Sequence, residues 1–256
     1  MYKIYLLASI FLFLCLNSLS AQGTAGEKAM YESRYIVDMP TAGVLEKGAY
    51  TVYSNAFSRG GIMLQLDVSP FSDFVMGLSY SGTNIIGSGE VNWQKIPGVH
   101  LRYRFIDETL SLPAFLFGVN TQGRGDFDKT DKRFETYSPG VFLALSKNYK
   151  WALGTVAIHG GINYSFEPPS KDNSPNFYIG AEHSIGNSVA LNIEFNPTLN
   201  DGNKEYMTAK SLLNTSLRWS LAKGVTLELQ ARDLLGNLTN NKEFNRAICL
   251  EYISSF

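Results

Sequence analysis

Only three histidines occur in this 256-residue chain, and their neighbours decide which acid–base chemistry is open to them. They read His100-Leu101-Arg102, His159-Gly160-Gly161 and His183-Ser184-Ile185. A serine activated on a single strand needs its histidine two residues away, so that both project from one face. None of the three contexts has that spacing, and adjacent His183 and Ser184 would point to opposite faces of a strand. No Asp-His dipeptide offers a proteolytic dyad, and Gly87-Ser88-Gly89 lacks the setting of a nucleophile elbow. No catalytic residue is assigned, and lipid processing by a hydrolase stands third among the functions considered.

Ligand-binding motifs are equally thin. Asp126, Asp128 and Asp131 share the rhythm of a calcium loop but lack its glycine and closing glutamate, and Lys129, Lys132 and Arg133 would repel a cation. Arg124-Gly125-Asp126 matches a short adhesion tripeptide. Both patterns fall in 122–135, which reads as a solvated surface loop. No metal site and no cofactor are expected. With 22 basic against 23 acidic residues the chain has no electrostatic footprint for nucleic acid.

The elements that would carry these residues are extended. Lys3 precedes the apolar run Ile4 to Leu16 and a small polar stretch ending at Ala21, the order of a signal peptide, here 1–21. Cys15 would leave with it, so Cys249 remains alone as a small packing group, with no disulfide. A periplasmic lead segment is expected over 22–47. From 48 to 256 the chain divides into about twelve runs with period-two alternation, at 48–57, 60–69, 74–81, 98–106, 112–121, 136–146, 151–166, 176–185, 188–196, 209–221, 225–232 and 244–256. Val189, Leu191, Ile193 and Phe195 illustrate the apolar parity.

Short links, such as Pro70 to Asp73 and Ala222 to Gly224, interleave with longer ones near 82–97, 122–135 and 197–208. Periplasmic turns and extracellular loops of outer-membrane barrels differ in this way. The fold class read from the pattern is all-β, an antiparallel up-and-down transmembrane β-barrel in the outer membrane of a Gram-negative bacterium. A soluble periplasmic sandwich is the rival. Aromatics near strand ends, among them Tyr50, Tyr53, Tyr80, Trp151, Tyr178 and Trp219, would form interfacial girdles. At the C-terminus Ile248, Leu250, Tyr252 and Phe256 make an assembly signal for the barrel-assembly machinery. Outer-membrane lipid is the other expected partner.

If the apolar parity faces lipid, the lumen is lined by His100, Arg102, Arg104, Asp67, Glu182, Glu194, Arg218, Glu228 and Arg232. Charge is tolerated there and penalised on the lipid face. Such a mixed-sign interior either fills the barrel as an ion-pair network or lines a narrow aqueous path. His100 could also act as a pH-sensitive gate.

Several segments resemble the YjbH-like family of outer-membrane barrels: Met39-Pro40-Thr41-Ala42-Gly43, the Ser69-Pro70-Phe71 turn, Leu112-Pro113-Ala114, Val141 to Lys147, Gly160 to Tyr164, Gly180-Ala181-Glu182 and Leu191 to Asn196. The resemblance spans about 40–235 and implies a single barrel module accessory to envelope or exopolysaccharide export, with polysaccharide-export components as partners. It implies no catalytic residues. A non-enzymatic export accessory is the first expectation for function, and a narrow passive porin for small solutes the second.

Overall fold

In the computed structural model, residues 32–151, 154–168, 174–239 and 245–256 are described. The expected signal peptide and the start of the lead segment lie outside them. Fifteen strands follow in order: β1 (Ala49–Phe57), β2 (Gly61–Phe71), β3 (Phe74–Thr83), β4 (Asn92–Trp93), β5 (Gly98–Ile106), β6 (Ala114–Asn120), β7 (Arg124–Asp128), β8 (Arg133–Thr136), β9 (Gly140–Trp151), β10 (Gly154–Tyr164), β11 (Asn176–Ile185), β12 (Val189–Asn196), β13 (Leu212–Ala222), β14 (Val225–Arg232) and β15 (Asn245–Ser255). Thirteen share one sheet, and leaving aside the two-residue β4, twelve form a ring of antiparallel neighbours. The first and last strands close it, in a register from Ala49 opposite Ser255 to Ala56 opposite Ile248. Closure removes the open edges that would otherwise invite pairing with other chains.

Side-chain parity explains why this ribbon closes. On β12, Ala190, Asn192, Glu194 and Asn196 are buried while Leu191, Ile193 and Phe195 face outward. The same division runs round the ring, so the exposed outer face carries Leu64, Leu66, Leu78, Leu101, Ile179, Leu217 and Ile248. An apolar exterior around a polar interior is stable in hydrocarbon, where a closed ladder pairs backbone amides between neighbouring strands. Ile248, Leu250 and Tyr252 all face outward, and Phe256 lies beside the Tyr50 ring just past the end of β15.

Three local expectations are corrected. Strand β9 continues through Lys147–Lys150, which the expected strands 136–146 and 151–166 left between them, because Glu108 accepts hydrogen bonds from the Asn148 amide and side chain and keeps the strand paired. The stretch 122–135 holds β7 and all but the last residue of β8, a hairpin rather than a bare solvated loop. Tyr53 and Tyr178 are inward and buried, because they share parity with polar lumen residues and not with the girdle; Tyr50, Tyr80 and Trp219 do face out.

The expected lead segment, 22–47, is described from residue 32 onward. Residues Arg34 through Leu45 are all buried, packed against inward wall side chains. This strap folds back on itself: the Ile36 amide donates to the Met39 carbonyl at 2.9 Å, and the Thr41 amide to the Arg34 carbonyl at 3.1 Å. Ile36 and Met39 pack on Tyr178, while Ala42, Val44 and Leu45 join Val75, Leu116 and Phe142. A Cβ on Gly180 would stand 2.8 Å from Ile36 Cγ2, so the wall thins where the strap passes.

Candidate functional site: a polar lumen filled by a strap

Wall side chains grip the strap mainly by its backbone. Glu194, central on β12, accepts the Val37, Asp38 and Met39 amides on one carboxylate oxygen at 3.0, 2.9 and 2.8 Å. Its other oxygen accepts Asn214 Nδ2 at 2.8 Å. Three amides converging on one carboxylate make an anion nest, and the fold-back at Ile36–Met39 is what aims them together.

Carbonyls are held by two arginines. Arg102 donates to the Arg34 and Thr41 carbonyls at 2.9 and 2.6 Å, its guanidinium lying over the Tyr35 and Phe142 rings. Arg218 donates to the Tyr35 and Ile36 carbonyls at 3.1 and 3.2 Å while pairing with Glu182 at 2.9 Å and Glu228 at 3.3 Å. In return the strap contributes its own charges. Asp38 sits between Arg124 at 2.9 Å and Arg232 at 3.0 Å, and Arg34 pairs with Glu251 and lies 3.9 Å from Asp67.

Of the residues expected to line the lumen, His100, Arg102, Asp67, Glu182, Glu194, Arg218, Glu228 and Arg232 are inward and buried. Arg104 stands apart, at the short-turn rim, where it meets Glu32, Asp73 and Asp107. His100 is engaged by Ser79 Oγ at 2.8 Å and the Tyr35 hydroxyl at 3.4 Å, on the strap side of the wall. Sequence reasoning missed Arg34, Asp38, Arg124 and Glu251. Strand parity alone could have found Glu251, two residues from Cys249 on the inward face; Arg34 and Asp38 carry no periodic signal.

At the long-loop end the mouth is roofed by β7–β8 and the segment 197–211. Arg133 is buried between the Tyr137 and Tyr206 rings, 3.9 Å from each centroid, and binds Asp201 through two nitrogens at 3.1 and 2.6 Å. Glu167 accepts the Phe134 and Ser138 amides at 2.6 Å each, and burial raises its pKa above the ordinary carboxylate value. The calcium-like acids are already committed. Asp128 caps the Thr130 and Asp131 amides, and the Tyr206 hydroxyl donates to both Asp128 and Asp131 at 2.9 Å. Those bonds, the Asp131 amide foremost, hold Asp128 below its usual pKa, and burial together with the two carboxylates pushes the Tyr206 phenol up. Arg124 points into the lumen and Asp126 is taken by Thr83 and Asn92, so the tripeptide is not presented for adhesion. Among the described residues no cluster of three or more His, Cys, Asp or Glu is placed to hold a metal ion.

Chemically, this site holds a peptide segment by its backbone amides and carbonyls, and its wall carries charges of both signs. No protein-family model matches the chain, and no curated protein matches it. Among solved structures, the NanC porin is similar with a TM-score of 0.44 at 9% identity, covering 81% of this chain and 99% of that one. Omp33, an outer membrane protein of Acinetobacter baumannii, is similar with a TM-score of 0.43 at 8% identity, covering 83% of this chain and 99% of that one. A mutant porin of Rh. blastica follows at 0.33 and 12% identity, covering 93% of this chain and 68% of that one.

Proposed function

We propose that this chain is an outer-membrane channel for small hydrophilic solutes, held shut by its own segment Arg34–Leu45. The observation that carries the reading is how the lumen is filled. Glu194, Arg102 and Arg218 hold the strap through its amides and carbonyls, and Asp38 through ion pairs. A wall built only for rigidity reaches lower energy with apolar side chains, since desolvating paired charges gains little over a packed hydrophobic core. A wall that must sometimes meet water keeps them. The apolar exterior supports residence in the bilayer, and the short turns on the side of both ends of the barrel domain support a periplasmic position for the strap's entrance.

The test is liposome swelling in isosmotic sugar or amino-acid solution. Parent protein should swell vesicles slowly, and a variant with a weakened strap, Asp38→Asn, should swell them faster. Protein-free rates for both, with the barrel folded, would exclude a channel. The other reading, an accessory to exopolysaccharide export, draws on the YjbH-like segments, of which Met39–Gly43 belong to the strap itself. Under that reading an opened strap leaves solute flux unchanged.

A further inference from the structure

Asp38 is the strap's one acidic side chain, and it is seated in a corner built from three separate elements. Its Oδ1 accepts Arg124 Nε of β7 at 2.9 Å and Arg232 Nη2 of β14 at 3.0 Å, and its Oδ2 accepts Asn214 Nδ2 of β13 at 3.3 Å. Asn214 is oriented by the Asp233 amide, which donates to its Oδ1 at 2.9 Å, and the same Nδ2 reaches Glu194 Oε1 at 2.8 Å. The carboxylate corner and the oxygen that collects the Val37, Asp38 and Met39 amides are therefore neighbours, joined by one side chain. Each of these groups already touches a peptide, so each is within reach of another one once the strap is gone.

Strap departure does not leave the wall evenly satisfied. Arg218 keeps its own carboxylates, Glu182 and Glu228. Arg124 and Arg232 have no ion pair but Asp38 among the described residues, so the two guanidiniums lose their counter-charge together. Glu194 loses three of its four hydrogen bonds. The groups that restore both are a carboxylate and, close beside it, N–H donors. A sugar hydroxyl carries no charge for the arginines, and a dicarboxylate brings no N–H to Glu194. An aspartyl residue in a peptide supplies both, with only Cα and Cβ between its amide and its carboxylate, which is how Asp38 itself spans the two positions. We propose that the lumen takes short peptides carrying an aspartyl residue, for which Asp38 is the resident stand-in. This assignment rests on the channel reading, since the strap must leave for the corner to open.

The test uses full-length protein in detergent with two changes confined to the strap, Asp38→Asn and Met39→Pro, the second of which deletes the amide 2.8 Å from Glu194. Calorimetric titration compares N-acetyl-Ala-Asp-Ala-amide with its Asn counterpart and with succinate. The Asp peptide should bind saturably, and both others about tenfold or more weakly, because each leaves charged or polar groups of the wall unpaired. The parent, whose own Asp38 fills the corner, should bind the Asp peptide about tenfold or more weakly than the variant does. No saturable binding of the Asp peptide, equal affinity for its Asn counterpart or for succinate, or equal affinity in the parent would each overturn the proposal. Liposome swelling is read separately: a variant that swells vesicles yet binds no Asp peptide keeps the channel and loses this solute class, whereas peptide binding without swelling upholds the site and removes the channel.

Discussion

On the proposed gating, replacing Asp38 by asparagine should weaken strap docking without touching the wall. The native carboxylate stands 2.9 Å from Arg124 and 3.0 Å from Arg232. Breaking a buried pair costs about 3–5 kcal/mol, because the remaining charge stays desolvated. Asparagine keeps one acceptor oxygen, which places the loss near the lower bound, about 3 kcal/mol. With the strap released, both arginines are hydrated whichever residue occupies position 38, so the whole cost falls on the closed state. At about 1.4 kcal/mol per factor of ten, the released population should rise about a hundredfold. Cys249 reports it. The thiol is 1% exposed and linked to the strap through Asn55, Gln230 and the Val37 carbonyl. In a Cys15→Ser background it is the chain's single thiol. When opening and closing are fast relative to modification, the labelling rate tracks the open population. A methanethiosulfonate should therefore react about a hundredfold faster in Asp38→Asn than in the parent. Rates within threefold of each other, in a barrel that retains its β-sheet circular dichroism, would refute the reasoning.

Three other expectations concern the wall and the roof. Leu217 lies at the centre of β13 and faces outward; Leu217→Arg should cost about 2–4 kcal/mol if that position is near the bilayer midplane, measured by reversible denaturant titration in liposomes. Arg133→Ala leaves buried Asp201 without its guanidinium and removes the stack between Tyr137 and Tyr206, so limited proteolysis within 197–211 should accelerate at least tenfold while the wall strands stay protected. Asp128 is held below its ordinary value of 3.8 by the Asp131 amide, with Tyr206 and Thr130 adding to it. A depressed carboxylate contributes stability that is fully present above that ordinary value and is lost as the pH falls through the depressed one. Protection of the Thr130 and Asp131 amides against hydrogen exchange should accordingly be flat from neutrality down to about pH 4 and decline below it.

The wall was legible because each strand carries its own signal. Leu191, Ile193 and Phe195 alternating with Asn192 and Glu194 fix both the strand and its two faces, and lipid outside with polar groups inside makes a one-residue slip prohibitive. Parity likewise assigns Asp67, His100, Arg102, Glu182, Glu194, Arg218, Glu228 and Arg232 to the side opposite the apolar face, and each is buried. The strap was illegible for the opposite reason. Ile36, Val37, Met39, Val44 and Leu45 follow neither a two- nor a 3.6-residue period, since their burial comes from a surrounding wall and not from one neighbouring face. Its partners are spread over distant strands, with Glu194 and Arg218 more than 150 residues away along the chain.

Planar-bilayer recording tests the central claim, that a strap-closed hydrophilic conduit crosses the membrane, most directly. Purified parent protein should insert and remain largely silent, whereas Asp38→Asn combined with Glu194→Gln, which also weakens the nest around the Val37, Asp38 and Met39 amides, should show discrete, long-lived openings of one unitary conductance. Equal silence from both proteins after verified insertion, or equal steady conductance from both, would contradict it.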